Sequence, residues 1–176
     1  MTERPQSLDE FWPYYLSEHR NATSRRLHFV GTTGFYASVV ASAISNPIGF
    51  PLAMAGFGAV LAHGLGRGEG ERPSTGHVLL MLALPTLASP VVFPAGVAFA
   101  YGCAWAGHFG IEGNRPATFK YPLWSLVSDF RMWAQMAQGR LWSGDPLEEL
   151  GISEPGDATA GTVSPVGSNG SSYSRA

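Results

Sequence analysis

The sequence predicts an all-α, membrane-embedded helical bundle of about four transmembrane or re-entrant helices, with an interfacial amphipathic helix at each end. Three observations carry this reading. The 176 residues are 45% hydrophobic and only 14% charged, which is low in charge for a soluble domain. All 11 Lys and Arg and all 13 Asp and Glu avoid two windows, residues 29–62 and 78–107. Each window is broken near its middle by prolines, at Ser45–Pro51 and Leu87–Pro94, where a helix stops or kinks.

Taken in order, the first element is Ser7–His19. Ser7 and Glu10 have capping-box spacing, and Phe11, Trp12, Tyr14 and Tyr15 supply the aromatic belt expected at a headgroup boundary. Each charge-free window then reads as a helical hairpin, with segments near 29–45, 48–65, 77–89 and 91–109. Crossing the hydrocarbon core takes about 17–25 apolar residues, so the first, second and fourth segments are adequate and the third is short. That makes the second hairpin a candidate for a re-entrant one. Gly31, Gly34, Gly56, Gly58 and Gly102 offer close helix contacts.

The last element is amphipathic. Helical spacing over Pro122–Trp142 puts Leu123, Leu126, Val127, Phe130, Trp133, Ala137 and Leu141 on one face, opposite Ser128, Arg131, Gln135 and Gln138. From 146 onward the chain is acidic and then rich in Gly, Ser, Thr and Pro, which predicts a disordered tail. The expected division is therefore a membrane domain at 1–145 and a tail at 146–176.

Net charge is −2 with no basic block, which argues against nucleic acid as a partner. Cys103 stands alone, so neither a disulfide framework nor a CxxC metal knuckle is possible. Four segments place both termini and the Arg67–Gly76 loop on one side, together with every Lys and Arg. The positive-inside rule makes that side cytoplasmic, and a bacterial inner membrane is the expected location.

This topology brings His19, His28, His63, His77 and His108 to one membrane face, and imidazole is the commonest transition-metal ligand. His19 and His28 are half a turn out of phase on a continuous helix and converge only if the chain breaks between them. Arg20–Ser24 offers the break, with Asn21 or Thr23 as the next cap. His108 and Glu112 are spaced i, i+4, on one helical face until Pro116 ends the helix. Histidines with one carboxylate suit a non-haem Fe(II) oxygenase; on spacing alone zinc fits too.

Two stretches carry a resemblance: "YYLSEHRNATSRRLHFVG" (Tyr14–Gly31) and "GHFGIEGNRPATFKYPLW" (Gly107–Trp124). They resemble the signature stretches of the Mpo-like family of small multi-pass membrane proteins, which includes a fungal Fe(II)-dependent 2-hydroxy fatty acid dioxygenase. The resemblance covers most of residues 8–142. It implies α-oxidation, in which O2 cleaves a long-chain 2-hydroxy fatty acid to the acid one carbon shorter plus CO2, with Fe(II) as cofactor and the lipid bilayer as surroundings. His19, His28 and His108 match the family's histidines and are the implied metal ligands. Glu112, Arg115 and Pro116 match the acidic residue and Arg-Pro that follow, which implies catalytic roles for Glu112 and Arg115.

Arg115 would orient the substrate carboxylate, pair with Glu112 or snorkel to headgroups. A fourth ligand is open among Glu112, His63 and His77. Ala22 departs from the family, which usually has proline after the asparagine. Ala62–Thr75 faintly echoes Gly107–Thr118, with a histidine, glutamate and Arg-Pro in the same order. The reading from another class is a non-catalytic integral membrane protein whose histidines hold a structural metal or only hydrogen bonds.

Overall fold

A computed structural model describes residues 5–67 and 74–154. The rest, including most of the Arg67–Gly76 loop and the tail from 155, lies outside the described residues. Among those described, the chain is all helical, as the charge pattern predicts. The helices are α1 (Leu8–Ser17), α2 (Ala22–Ser45), α3 (Gly49–Gly66), α4 (Thr75–Ala88), α5 (Val92–Gly107), α6 (Pro122–Ala137) and α7 (Pro146–Leu150).

Local chemistry accounts for the first boundaries. Ser7 Oγ accepts from the Glu10 N–H at 3.2 Å and starts α1, while the Glu10 carboxylate takes the Gln6 N–H at 2.8 Å, one residue earlier than a closed capping box would. Asn21 Oδ1 accepts from the Thr23 N–H at 2.8 Å and starts α2. Of the two expected caps, Asn21 is therefore the one used.

The two charge-free windows turn in the same way. Asn46 (φ −137°, ψ 79°) ends α2 and Ser89 (φ −143°, ψ 82°) ends α4; a proline follows each, and Ile48 and Val91 lead into α3 and α5. Yet the helices of one window barely touch along their length. Instead α2 runs antiparallel to α5, and α3 to α4. Small residues cause this choice of partner. A Cβ at Gly96 would stand 1.9 Å from Ser38 Oγ, and one at Gly31 would stand 2.9 Å from Cys103 Cβ, so only glycine lets α2 and α5 approach so closely. Gly58 and Gly102, expected at such contacts, face open space.

The two pairs meet at their turn ends. Ser42 Oγ bonds Ser89 Oγ at 2.8 Å, Asn46 Nδ2 donates to Ala88 O at 3.1 Å, and the Phe50 and Phe93 rings lie 5.9 Å apart. At the opposite end α6 enters between them, stacking Phe130 on Phe35 and Tyr36 and laying Leu123 against Gly64.

α2 and α3 are long and apolar enough to cross a membrane. Few of their residues are buried, unlike the core helix of a soluble protein; Ile44 is 76% and Leu52 67% accessible. α4, with 14 residues, is short as expected. The fourth segment is α5, whose 16 residues are continued without a break by a π-helical turn at His108–Glu112.

Three expectations about the flanks need correction. The α1 aromatics do not form a headgroup belt, because Phe11, Trp12 and Tyr15 are buried with Tyr121, Trp124, Met132 and Met136 in the larger core, between α1 and α6. Leu123 and Leu141 of the expected face are buried, but the buried residues of α6 also include Trp124, Ser125, Ser128, Met132 and Met136, while Ala137 is exposed. A single apolar stripe could not anticipate this, because α6 is covered from two sides. Finally, residues 146–152 fold onto the domain, whereas the rest of the expected tail from 155 lies outside the described residues. Asp145 Oδ1 caps the Leu147 N–H at 2.8 Å, and Leu147 joins the same core with Leu150 and Ile152 against it.

Candidate metal centre

The α1 helix ends at Ser17, and the His19 N–H bonds back to Leu16 O at 2.9 Å. The break before Asn21 redirects the chain, so that His19 and His28 meet with ring centroids 4.5 Å apart. His108 arrives from the end of α5. There a π-helical turn, His108–Glu112, extends the helix until Gly113 (φ 69°) stops it, ahead of Pro116. The His108 ring lies 4.6 Å from His19 and 5.2 Å from His28. All three rings are buried, and one ligand nitrogen from each lies within 4.8 Å of the others.

Oxygen atoms fix every ring. His19 Nδ1 donates to Tyr15 O at 2.6 Å, His28 Nδ1 to Asp129 Oδ1 at 2.8 Å, and His108 Nδ1 to Asn114 Oδ1 at 2.7 Å. A carbonyl or carboxylate oxygen only accepts, so each Nδ1 carries a proton, and the neutral form of each ring has its lone pair on Nε2. The Nε2 atoms of His19 and His28 are buried without a partner. Leaving such a group unsatisfied costs about 1–3 kcal/mol. Three neutral imidazoles with anchored Nδ1 and inward Nε2 make the donor set of a metal site with open positions. Burial, and after it His28 and His108, holds His19 well below the ordinary imidazole value of 6.5, which keeps it in the ligating form.

The anchors are themselves held. Asn114 Nδ2 donates to Glu18 O and Glu18 Oε2, both at 2.9 Å, which sets its amide oxygen toward His108. Tyr15 serves the site three times: its carbonyl holds His19, its ring stacks on His19 at 4.2 Å, and its hydroxyl donates to Asp129. Behind them lies Arg25, fully buried. Its guanidinium donates to the carbonyls of His19 (2.9 Å), Arg20 (2.6 Å), Leu141 (2.8 Å), Ser143 (3.2 Å) and Gly144 (2.9 Å).

The other residues expected at the site stand apart from the cluster. Glu112 Oε1 accepts from the Asn21 N–H at 3.0 Å, because the π turn rotates it off the His108 face toward the start of α2. Arg115 is exposed and lies over the Phe119 ring at 5.3 Å. His63 and His77 bond each other at 3.0 Å between α3 and α4, away from the other three. Conversely, the sequence reading assigned no role to Tyr15, Asn114, Asp129 or Arg25 at the cluster. Asp129 did leave a signal: it falls three residues after Leu126 and four before Trp133, a lone carboxylate on an apolar face.

A cavity of about 110 Å³ adjoins the three rings and runs between the helix pairs past Phe35, Phe57, Phe93 and Val97. Leu82, Tyr101 and Trp105 also line it while remaining partly accessible, so it opens on the apolar flank between α4 and α5.

A model of the family described as "2-hydroxy-palmitic acid dioxygenase Mpo1-like" matches residues 5–141. No curated protein and no solved structure gives a significant match.

Proposed function

This chain belongs to the Mpo1-like family, and from that membership and its histidine cluster we propose an Fe(II)-dependent dioxygenase of 2-hydroxy fatty acids. The observation that carries the proposal is the set of three buried imidazoles with Nδ1 anchored, the Nε2 of His19 and of His28 being buried without a partner. The reaction is closed in atoms and electrons. A 2-hydroxy acid and O2 give the acid one carbon shorter, CO2 and water, and the substrate supplies all four electrons, so no further reductant is needed.

His19, His28 and His108 would hold the ion, and a bound Fe(II) supplies O2 activation and a Lewis-acidic seat for the substrate's hydroxyl and carboxylate. The chain's own residues do the rest. Asp129 and Asn114 hold the Nδ1 protons of His28 and His108, so these imidazoles stay aimed, with Nε2 toward the cluster. The apolar cavity accepts the alkyl chain and excludes water from the reacting end. Its opening on the apolar flank suits a substrate delivered from a bilayer, in which α2 and α3 anchor the protein with both termini cytoplasmic. Glu112 acts through the Asn21 cap, and Arg115 at headgroups.

The test is anaerobic metal analysis of detergent-purified protein followed by 2-hydroxypalmitate turnover with O2. About one iron per chain and release of pentadecanoate are expected. Iron-loaded protein that consumes neither 2-hydroxypalmitate nor O2 would overturn the assignment.

A further inference from the structure

We infer that the Ser125 hydroxyl donates a hydrogen bond to the substrate's carboxylate; this rests on the 2-hydroxy acid reading above. Ser125 lines the histidine cavity, is 1% exposed, and its Oγ is buried without a hydrogen-bond partner. A buried hydroxyl that satisfies nothing in the protein is placed for something else. It lies four residues before Asp129 on α6, on the same side of the helix as the carboxylate that holds His28. The donor therefore faces the end of the cavity where the reacting carbons sit.

The charges of the site agree. Among the described residues no Lys or Arg lines the cavity, and Arg115 is exposed over Phe119. With three neutral imidazoles, a divalent ion, the Asp129 carboxylate and the substrate carboxylate sum to zero. A further buried cation would leave the site with excess charge, whereas a neutral hydroxyl adds a directed hydrogen bond without one. Ser125 is thus a positioning and specificity residue for acids over alcohols.

The test compares wild type with Ser125→Ala and Ser125→Thr, as anaerobic Fe(II)-loaded protein. Binding of 2-hydroxypalmitate and of 1,2-hexadecanediol, which keeps the adjacent hydroxyls but lacks the carboxylate, is read by tryptophan fluorescence, since Trp105 lines the cavity. Ser125→Ala is expected to weaken 2-hydroxypalmitate about tenfold, leave the diol and the iron content unchanged, and raise KM more than it lowers kcat. Ser125→Thr should restore binding. Unchanged 2-hydroxypalmitate affinity in Ser125→Ala, or equal weakening of acid and diol, overturns the carboxylate role while the dioxygenase reading stands. Failure of the wild type to bind 2-hydroxypalmitate overturns that reading and this one together.

Discussion

Asp129 Oδ1 accepts from His28 Nδ1 at 2.8 Å and also from the Tyr15 hydroxyl, so one carboxylate on α6 ties a histidine of α2 to α1, the helix that ends just before His19. Three segments distant in sequence are locked at one atom. Asp129→Ala should lower iron affinity about 10–100-fold, the usual effect of removing a partner that orients a ligating imidazole. Equilibrium dialysis of Fe(II) against the variant measures it. Wild-type affinity would show that packing alone holds the His28 ring.

Single alanine changes at His19, His28 and His108 should each abolish iron retention and turnover. Each removes one of only three imidazole ligands. His63→Ala and His77→Ala should keep full iron, because that pair is bonded to itself. Metal content per chain after desalting separates the two groups. Iron loss in His77→Ala would place the site elsewhere.

Glu112→Gln separates a ligand from a cap. The amide keeps an oxygen for the Asn21 N–H, so iron content should stay at the wild-type level, with a stability loss of about 0.3–1 kcal/mol from the charge removed beside the α2 N-terminus. Thermal unfolding and metal analysis of one preparation check both. Loss of iron would return Glu112 to the coordination sphere.

The three histidines were legible because Asn21 marks the break that lets His19 and His28 converge, and because all three lie within two short continuous stretches, Tyr14–Gly31 and Gly107–Trp124. The helix pairs were less so. Charge-free windows announce two hairpins, but the choice of α5 over α3 as the α2 partner depends on Gly96 meeting Ser38, a contact between residues far apart in sequence. Glu112 was misleading for a related reason: i, i+4 spacing assumes an α-helix, and the π turn gives it a different direction. Ser125 was hidden because α6 is buried on two sides, so a polar residue on it can face the cavity without disturbing the apolar stripe.

The segment after α6 should prove necessary for the site although it contributes no ligand. Leu141 has φ 62°, a left-handed conformation costly for a leucine, and two partners hold it there: Arg25 Nε donates to its carbonyl at 2.8 Å, and its N–H donates to Glu149 of α7 at 2.8 Å. The same guanidinium holds the carbonyls of His19 and Arg20, so strain at Leu141 and placement of His19 share one side chain. A chain ending at Asp145 loses Glu149 and the burial of Leu147, which contributes about 1.5–3 kcal/mol by itself. It should therefore unfold at lower temperature and retain less iron than a chain ending at Glu154. Arg25→Lys, which cannot reach five carbonyls, should destabilise by about 3 kcal/mol or more and loosen His19 in the same way. Differential thermal unfolding in detergent with parallel metal analysis measures both variants. Equal stability and iron in the two truncated chains would mean that Arg25 alone fixes the turn and that α7 is dispensable.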